Sequence, residues 1–142
     1  MTLLLGIIFS ATTTFALNCI NMHGRYRVEG HPTAIVQYEQ KDCSAYSVRE
    51  SEDGVHFTDW QTYPFDALFR ETPRGSLVRA WTEGNYLRKQ IIYYSVEQGK
   101  HIESLDHWNA FDADGNLLAW EKIYDLKGNF IKNWNAKFIP ID

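Results

Sequence analysis

Turn-forming residues recur at short intervals along most of this chain of 142 residues, and that spacing limits the folds open to it. The last two turns repeat one pattern. Residues 111–117 and 124–130 each run from an aromatic through Asp to Gly-Asn and a large apolar residue. Gly and Asn tolerate the positive φ of tight turns, and the preceding Asp can bond to its own backbone. The duplication therefore predicts two successive hairpin ends that set the register of the neighbouring strands.

The segments between the turns are typical of β-strands. Residues 76–83, 85–98, 116–125 and 129–139 alternate in polarity and are rich in β-branched and aromatic side chains. Consecutive strands with tight turns predict an all-β fold, an antiparallel up-and-down meander with little helix. A sheet this wide curls to remove its edges, so we expect it to close into a barrel of about eight or nine strands.

The amino-terminal residues are typical of an export signal. Residues 3–9 form an apolar run that is too short to span a membrane, and small residues favour cleavage after Ala16. We therefore predict a signal peptide at residues 1–16 and a single domain at residues 17–142. No Lys or Arg precedes the apolar run, so the alternative is a buried first strand.

The two cysteines fit an exported chain. Cys19 and Cys43 both remain after cleavage, and a disulfide between them is reasonable in a secreted or periplasmic protein. Lipid attachment at Cys19 is the alternative, but Ala16-Leu17-Asn18 resembles a lipobox poorly. The chain has no Asn-x-Ser/Thr sequon, and we favour a bacterial exported protein that does not span the membrane.

Several function classes find no support in the sequence. The net charge of −4 and the lack of a basic block disfavour a nucleic-acid partner. Five histidines occur without HExxH spacing, and Asp106-His107 has no accompanying nucleophile motif. The loop from Asp112 fails as an EF-type calcium site, because Gly115 falls at position 4 rather than position 6 and Ile123 stands at position 12, where that pattern needs Glu. We therefore expect no catalytic residue, no metal and no cofactor.

Polarity alternation assigns one set of side chains to the inner face of the barrel. On this face each strand combines large aromatics with one cation. The cations either lie at the barrel mouth with their heads in water or orient an anionic or amphipathic ligand in an aromatic cavity. The predicted ligand-binding residues from this pattern are Arg79, Trp81, Arg88, Tyr94, Trp120, Lys122, Lys132 and Trp134.

The start of the predicted domain resembles a known family. Gly24-Arg25-Tyr26 is similar to the Gly-x-Trp opening of lipocalin-like (calycin-type) secreted barrels, with Tyr in place of Trp. The order of export signal, opening strand, meander and early disulfide is also similar. The resemblance implies a barrel that binds a small hydrophobic ligand. In such a barrel Tyr26 would close one end, with a basic residue of the last strand such as Lys132 near it.

Two functions follow from these expectations. The first is a non-catalytic exported β-barrel that binds a small hydrophobic or amphipathic molecule, an anionic one included, in its lumen. The alternative is a filled barrel that acts as an inhibitor or interaction module for another exported protein. Its contact surface would be the exposed aromatics of the loop that contains Trp60 and Tyr63, since aromatics dominate interface hot spots. An enzyme and a carbohydrate binder with aligned Trp side chains remain as further hypotheses.

Overall fold

The computed structural model describes residues 19–95 and 100–141, without the side chains of residues 94–102. The predicted signal peptide, residues 1–16, lies outside the described part. The predicted all-β class is confirmed, because every regular element of the described residues is a strand. None of those residues forms a helix that is long and apolar enough to cross a membrane. The strands are β1 (Gly24–Val28), β2 (Ile35–Glu39), β3 (Ala45–Ser51), β4 (Gln61–Pro64), β5 (Arg70–Glu71), β6 (Leu77–Glu83), β7 (Tyr86–Ser95), β8 (Lys100–Phe111), β9 (Leu117–Asp125) and β10 (Phe130–Ile141).

The ten strands form one antiparallel sheet. Their spatial order is β4-β3-β2-β1-β10-β9-β8-β7-β6-β5, so all neighbours except β1 and β10 are consecutive strands of the chain. The β1–β10 ladder, in which Tyr26 lies opposite Pro140, brings the first and last described strands together. A predicted meander is therefore present, but its two free edges belong to the consecutive strands β4 and β5.

The prediction of a closed barrel of eight or nine strands is wrong in both respects. The sheet has ten strands and curls into an open half-barrel. Pro64 ends β4 and has no N–H to donate to a further ladder. Beyond it, a loop replaces strand pairing, and a single bond from Ala67 N to Ala80 O, 2.9 Å long, ties that loop to β6. β5 has only two residues, so the β4–β5 edges stay open.

The concave face of this half-barrel carries the hydrophobic core. Tyr26, Tyr38 and Tyr46 pack in succession across β1–β3, and Tyr46 is 2% exposed. Ala80 and Leu117 from the other half of the sheet belong to the same cluster. Small and aliphatic side chains therefore form part of the side that β6–β9 present to the tyrosines.

The disulfide between Cys19 and Cys43 is confirmed and holds the segment before β1 against the loop after β2. Gln40, which is 6% exposed, adds a second connection. Its Nε2 donates to the Ile20 carbonyl at 2.7 Å, and its Oε1 accepts from Met22 N at 3.1 Å. A buried amide that satisfies two backbone groups stabilises this contact between the segment before β1 and the loop after β2.

The repeated Asp-x-x-Gly-Asn stretches form the two hairpin ends that the sequence predicts. Asp112 N donates to Asn116 O and Asp125 N to Asn129 O, both at 2.9 Å. In each turn the Asp side chain also accepts from the Asn backbone N, again at 2.9 Å. Gly115 has a φ of 83°, which an L side chain adopts only with strain.

Candidate functional site

A β-bulge decides which side chains of β10 face the core. Phe130 lies opposite Tyr124, but the register shifts before Lys132, which lies opposite Ile123. Trp134 therefore faces Glu121 on the concave side, whereas Trp120 lies opposite Asn135 on the convex side. The expectation that Trp120 and Trp134 share a face is wrong, because the extra residue in β10 exchanges the faces beyond it.

Most of the predicted ligand-binding residues lie on the convex face rather than the inner one. The register places Trp81, Arg88 and Trp120 in one row with Trp108, and Arg79 in the next row with Lys122. The core residues Ala80, Leu87 and Ala119 occupy the opposite face of these strands. The inner-face assignment of Arg79, Trp81, Arg88, Trp120 and Lys122 is therefore wrong.

These convex side chains pack against one another. The Arg88 guanidinium lies 4.6 Å from the centre of the Trp108 ring and 5.4 Å from that of Trp81. Trp108 and Trp120 stack with an interplanar angle of 10°. Arg79 lies over Trp81 at 5.1 Å, and Lys122 lies over Trp108 at 5.8 Å. Mutual cation–π contacts thus account for Arg79, Arg88 and Lys122 without a barrel mouth or a bound ligand.

The remaining predicted residues do not form one site. Tyr26 is buried on the concave face, where its hydroxyl donates to Met22 O at 3.0 Å. Lys132 is exposed on the same face, but it precedes Pro140, the partner of Tyr26, by about eight residues or roughly 26 Å of strand. The implied proximity of Lys132 to Tyr26 is therefore wrong. Trp134 is 45% exposed on the concave face. The side chain of Tyr94 lies outside the described residues.

A row of polar side chains that the sequence reading missed crosses the concave face. In successive ladders Ala80 lies opposite Lys89, Lys89 opposite His107, His107 opposite Glu121, and Glu121 opposite Trp134. Three ionisable groups therefore stand side by side within the core. Polar side chains at such positions are retained only where they find partners or act on a ligand.

His107 is held between two acceptors. Its Nδ1 lies 2.8 Å from Glu121 Oε1, and its Nε2 lies 2.7 Å from Asn109 Oδ1. Asn109 is 1% exposed and donates its Nδ2 to Leu118 O at 3.2 Å, which orients the amide oxygen toward the ring. Burial and the charge of Lys89 lower the pKa of His107, and the two hydrogen bonds oppose that shift.

Lys89 differs from its neighbours in having no close acceptor. Among the described residues, no carboxylate oxygen lies within 4.0 Å of its Nζ and no hydrogen bond from it occurs. The ammonium lies 5.2 Å from the centre of the Tyr63 ring, across the half-barrel on β4. Burial lowers the pKa of Lys89, while the charges of Glu121 and Glu50 oppose that shift. This lysine is the least satisfied group of the row.

A cleft of about 290 Å³ lies at the open edge of the half-barrel, between β4 and β6. Its wall includes the concave-face residues Tyr63, Val78 and Ala80 as well as Leu68 and Arg79 toward the outside. Two of these residues, Ala80 and Tyr63, are neighbours of Lys89, which does not itself line the cleft. Trp60 lies at the rim, with its ring 4.5 Å from the Arg49 guanidinium.

The described residues contain no group of three or more His, Cys, Asp or Glu side chains that could hold a metal ion. The polar row could have been suspected from the alternation of Ala80 and Ala119 with tryptophans, since small residues fill a curved interior. Because the aromatic face was taken as the inner one, the polar row was assigned to the outside. No family model matches the chain, and no curated protein is similar to it in sequence.

Proposed function

We propose that this protein is a non-catalytic, exported half-barrel that binds a small hydrophobic or amphipathic molecule at the cleft between β4 and β6. The observation that carries the proposal is this cleft of about 290 Å³, which leads from exposed apolar side chains to the concave face. Small-molecule sites are concave, mostly apolar and equipped with a few placed polar groups. Leu68, Pro64 and Val78 supply apolar walls here, and Tyr63 and Arg79 supply polar groups.

The dimensions of the opening favour a small molecule over a peptide strand. Some Cα atoms of β4 and β6 lie within 8 Å of each other. A strand inserted between them with ladders on both sides would require a separation of roughly 9.6 Å. The unpaired edges therefore leave room for side-chain-sized groups and not for a further backbone.

The disulfide supports the proposal of export, because such bonds persist in oxidising compartments. The predicted leader at residues 1–16 supplies the route, with secretion or the periplasm as the destination. The resemblance to lipocalin-like barrels stays a prediction. It agrees with the proposed type of ligand, although the fold alone would not assign a function.

Titration with a neutral fluorescent probe such as N-phenyl-1-naphthylamine tests the proposal. Leu68 is 61% exposed and lines the cleft, so Leu68→Glu places a carboxylate there without disturbing the core. We expect this variant to weaken probe binding about tenfold or more. Leu126, which is 54% exposed in the β9–β10 turn, provides the matched control in Leu126→Glu. Equal affinity of both variants, or no probe binding by the wild type, would contradict the proposal.

The alternative, an inhibitor or interaction module, is favoured by one observation. Leu68 and Phe69 are 61% and 41% exposed in the loop between β4 and β5, and Leu68 lines the same cleft as Trp60. Tyr63, the other predicted contact residue, instead stacks on Tyr46 at 5.2 Å. The alternative predicts a stable complex with another exported protein that Phe69→Glu disrupts while leaving probe binding intact. Loss of probe binding without any such complex would support the cleft.

A further inference from the structure

Lys89 lies where an unpaired cation is costly. It is half-buried in the middle of the curved sheet, between Ala80 on β6 and His107 on β8. Burial lowers the pKa of Lys89, and the charges of Glu121 on β9 and Glu50 on β3 oppose that shift. Neither comes within 4.0 Å of Nζ in the described part of the chain. In its charged form Lys89 thus has hydrogen-bond donors that no described protein oxygen accepts.

The groups around this ammonium do not replace such an acceptor. Tyr63 offers its ring face at 5.2 Å, and its hydroxyl donates to Gln61 Oε1 at 2.6 Å. Glu121 is already engaged by His107 at 2.8 Å. A cation–π contact compensates a desolvated ammonium only in part. The arrangement therefore suits an additional oxygen ligand on the open side of Lys89.

The cleft ends beside two neighbours of Lys89, which does not itself line it. Ala80 and Tyr63 both line the cleft, and both adjoin Lys89, one through the β6–β7 ladder and the other through the ring contact. Alanine at position 80 leaves the space that a larger side chain would fill. A molecule whose apolar part lies against Leu68 and Val78 can therefore direct its end inward toward Nζ.

We propose that Lys89 binds the head group of the ligand and that this head group is a carboxylate. This inference rests on the proposed function, because it concerns the same cleft. A single negative charge pairs with the ammonium, whereas the flanking Glu50 and Glu121 repel the second charge of a phosphate monoester. The predicted ligand class is a small apolar carboxylic acid, bound with its head inward and its apolar end at the cleft rim.

Arg79 defines the opposite orientation. It lines the outer part of the cleft, and its guanidinium lies 4.7 Å from the Phe69 ring centre while Nε donates to Gln90 Oε1 at 2.9 Å. If Arg79 instead bound the head group, the apolar end would point toward the core. The two orientations predict that different single substitutions abolish the preference for an acid, so they can be separated experimentally.

The test is displacement of N-phenyl-1-naphthylamine by octanoate, octanol, octylamine and octyl phosphate. The wild type is expected to bind octanoate about tenfold more tightly than octanol, because a hydrogen bond to a charged group is lost with the alcohol. Lys89→Met should bind both equally, and Lys89→Arg should retain the preference. Lys122→Met is the matched control, since that lysine makes a similar aromatic contact on the convex face.

Each outcome decides between the proposals. If octanoate and octanol displace the probe equally well from the wild type, the head-group inference is wrong but the proposed function stands. If the probe binds nowhere near the cleft, the proposed function itself fails. A preference for octanoate that survives in Lys89→Met and disappears in Arg79→Gln would overturn the inward orientation. A preference for octyl phosphate would overturn the carboxylate assignment.

A second measurement uses only the wild-type protein, in case Lys89→Met does not fold. Acetic anhydride modifies accessible amines, and mass spectrometry reports the modified fraction of each lysine. Octanoate is expected to protect Lys89 at least about fivefold relative to octanol, with Lys122 unprotected by either. Equal modification of Lys89 with both compounds would overturn the inference.

Discussion

Arg88 Cζ lies 4.6 Å from the centre of the Trp108 ring, and the two residues are direct neighbours in the β7–β8 ladder. The same guanidinium donates from Nη1 to Glu83 Oε2 at 2.9 Å and lies over Trp81. Arg88 therefore joins three strands on the convex face. Since its side chain is only 24% exposed, these contacts are partly shielded from water.

Arg88→Met is expected to lower the free energy of unfolding by about 1–2 kcal/mol, because two cation–π contacts and a partly screened ion pair are lost. Arg88→Lys should recover less than half of the loss, since an ammonium cannot stack as a guanidinium does. Urea unfolding followed by Trp fluorescence measures both. Wild-type stability in Arg88→Met would show that the convex contacts contribute nothing.

The class and connectivity of the fold could be predicted from local sequence. The turns at Asp112 and Asp125 are recognisable from their residue types, and each fixes a hairpin through hydrogen bonds within five residues. Closure could not be predicted in this way. Whether β4 pairs with β5 depends on Pro64, on the bond that ties the loop at Ala67 to β6 and on the curvature of the sheet. The last two arise from contacts between residues far apart in the sequence.

The site was less predictable because faces are assigned relative to a register. Without a bulge, the pairing of Phe130 with Tyr124 would continue to Trp134 with Trp120, as the alternation pattern suggests. The extra residue at Ile131 breaks that continuation. On β6, β8 and β9 the tryptophans Trp81, Trp108 and Trp120 face outward, so size was a poor guide to burial. Lys89 and His107 lie on the face that the alternation pattern had assigned to the outside of the barrel.

Removal of the disulfide tests how the amino-terminal segment is held. The double variant Cys19→Ala, Cys43→Ala opens a crosslink of sequence separation 24. Chain entropy predicts a loss of about 3 kcal/mol in the free energy of unfolding. Urea unfolding of the oxidised wild type and of the double variant gives the difference. A loss that the reduced wild type does not reproduce would point to packing of Cys19 rather than to the crosslink.

Gln40 offers a separate test of the contact between the segment before β1 and the loop after β2. Gln40→Ala leaves Ile20 O and Met22 N without their side-chain partner in a buried position. We expect a loss of about 2–3 kcal/mol, since unsatisfied buried polar groups retain their desolvation cost. Gln37→Ala, on the strand β2 that Gln40 follows, serves as the control, because Gln37 Oε1 accepts two bonds from Arg49 at a part-buried site. Comparable losses in the two variants would contradict the role assigned to Gln40.

The lowered pKa of His107 predicts a defined pH dependence of stability. In the unfolded chain this histidine binds a proton below about pH 6.5, whereas the folded protein resists protonation until a lower pH. Between those two pKa values the unfolded state holds more protons, so stability falls as the pH decreases. The decline between pH 6.5 and 5 should be shallower in His107→Gln, by unfolding in urea. His56, whose pKa is raised by Asp53, contributes in the opposite sense, so His56→Gln should steepen it.

The coupling between Lys89 and His107 can be measured directly. The charge of Lys89 is one cause of the lowered pKa of His107, after burial. Lys89→Met removes that charge, so the pKa of His107 should rise, while Lys122→Met on the convex face should leave it unchanged. NMR titration of the imidazole resonance, assigned by its loss in His107→Gln, reports the shift. An unchanged pKa in Lys89→Met would mean that the two side chains do not share one electrostatic environment, and the concave row would then be two separate features.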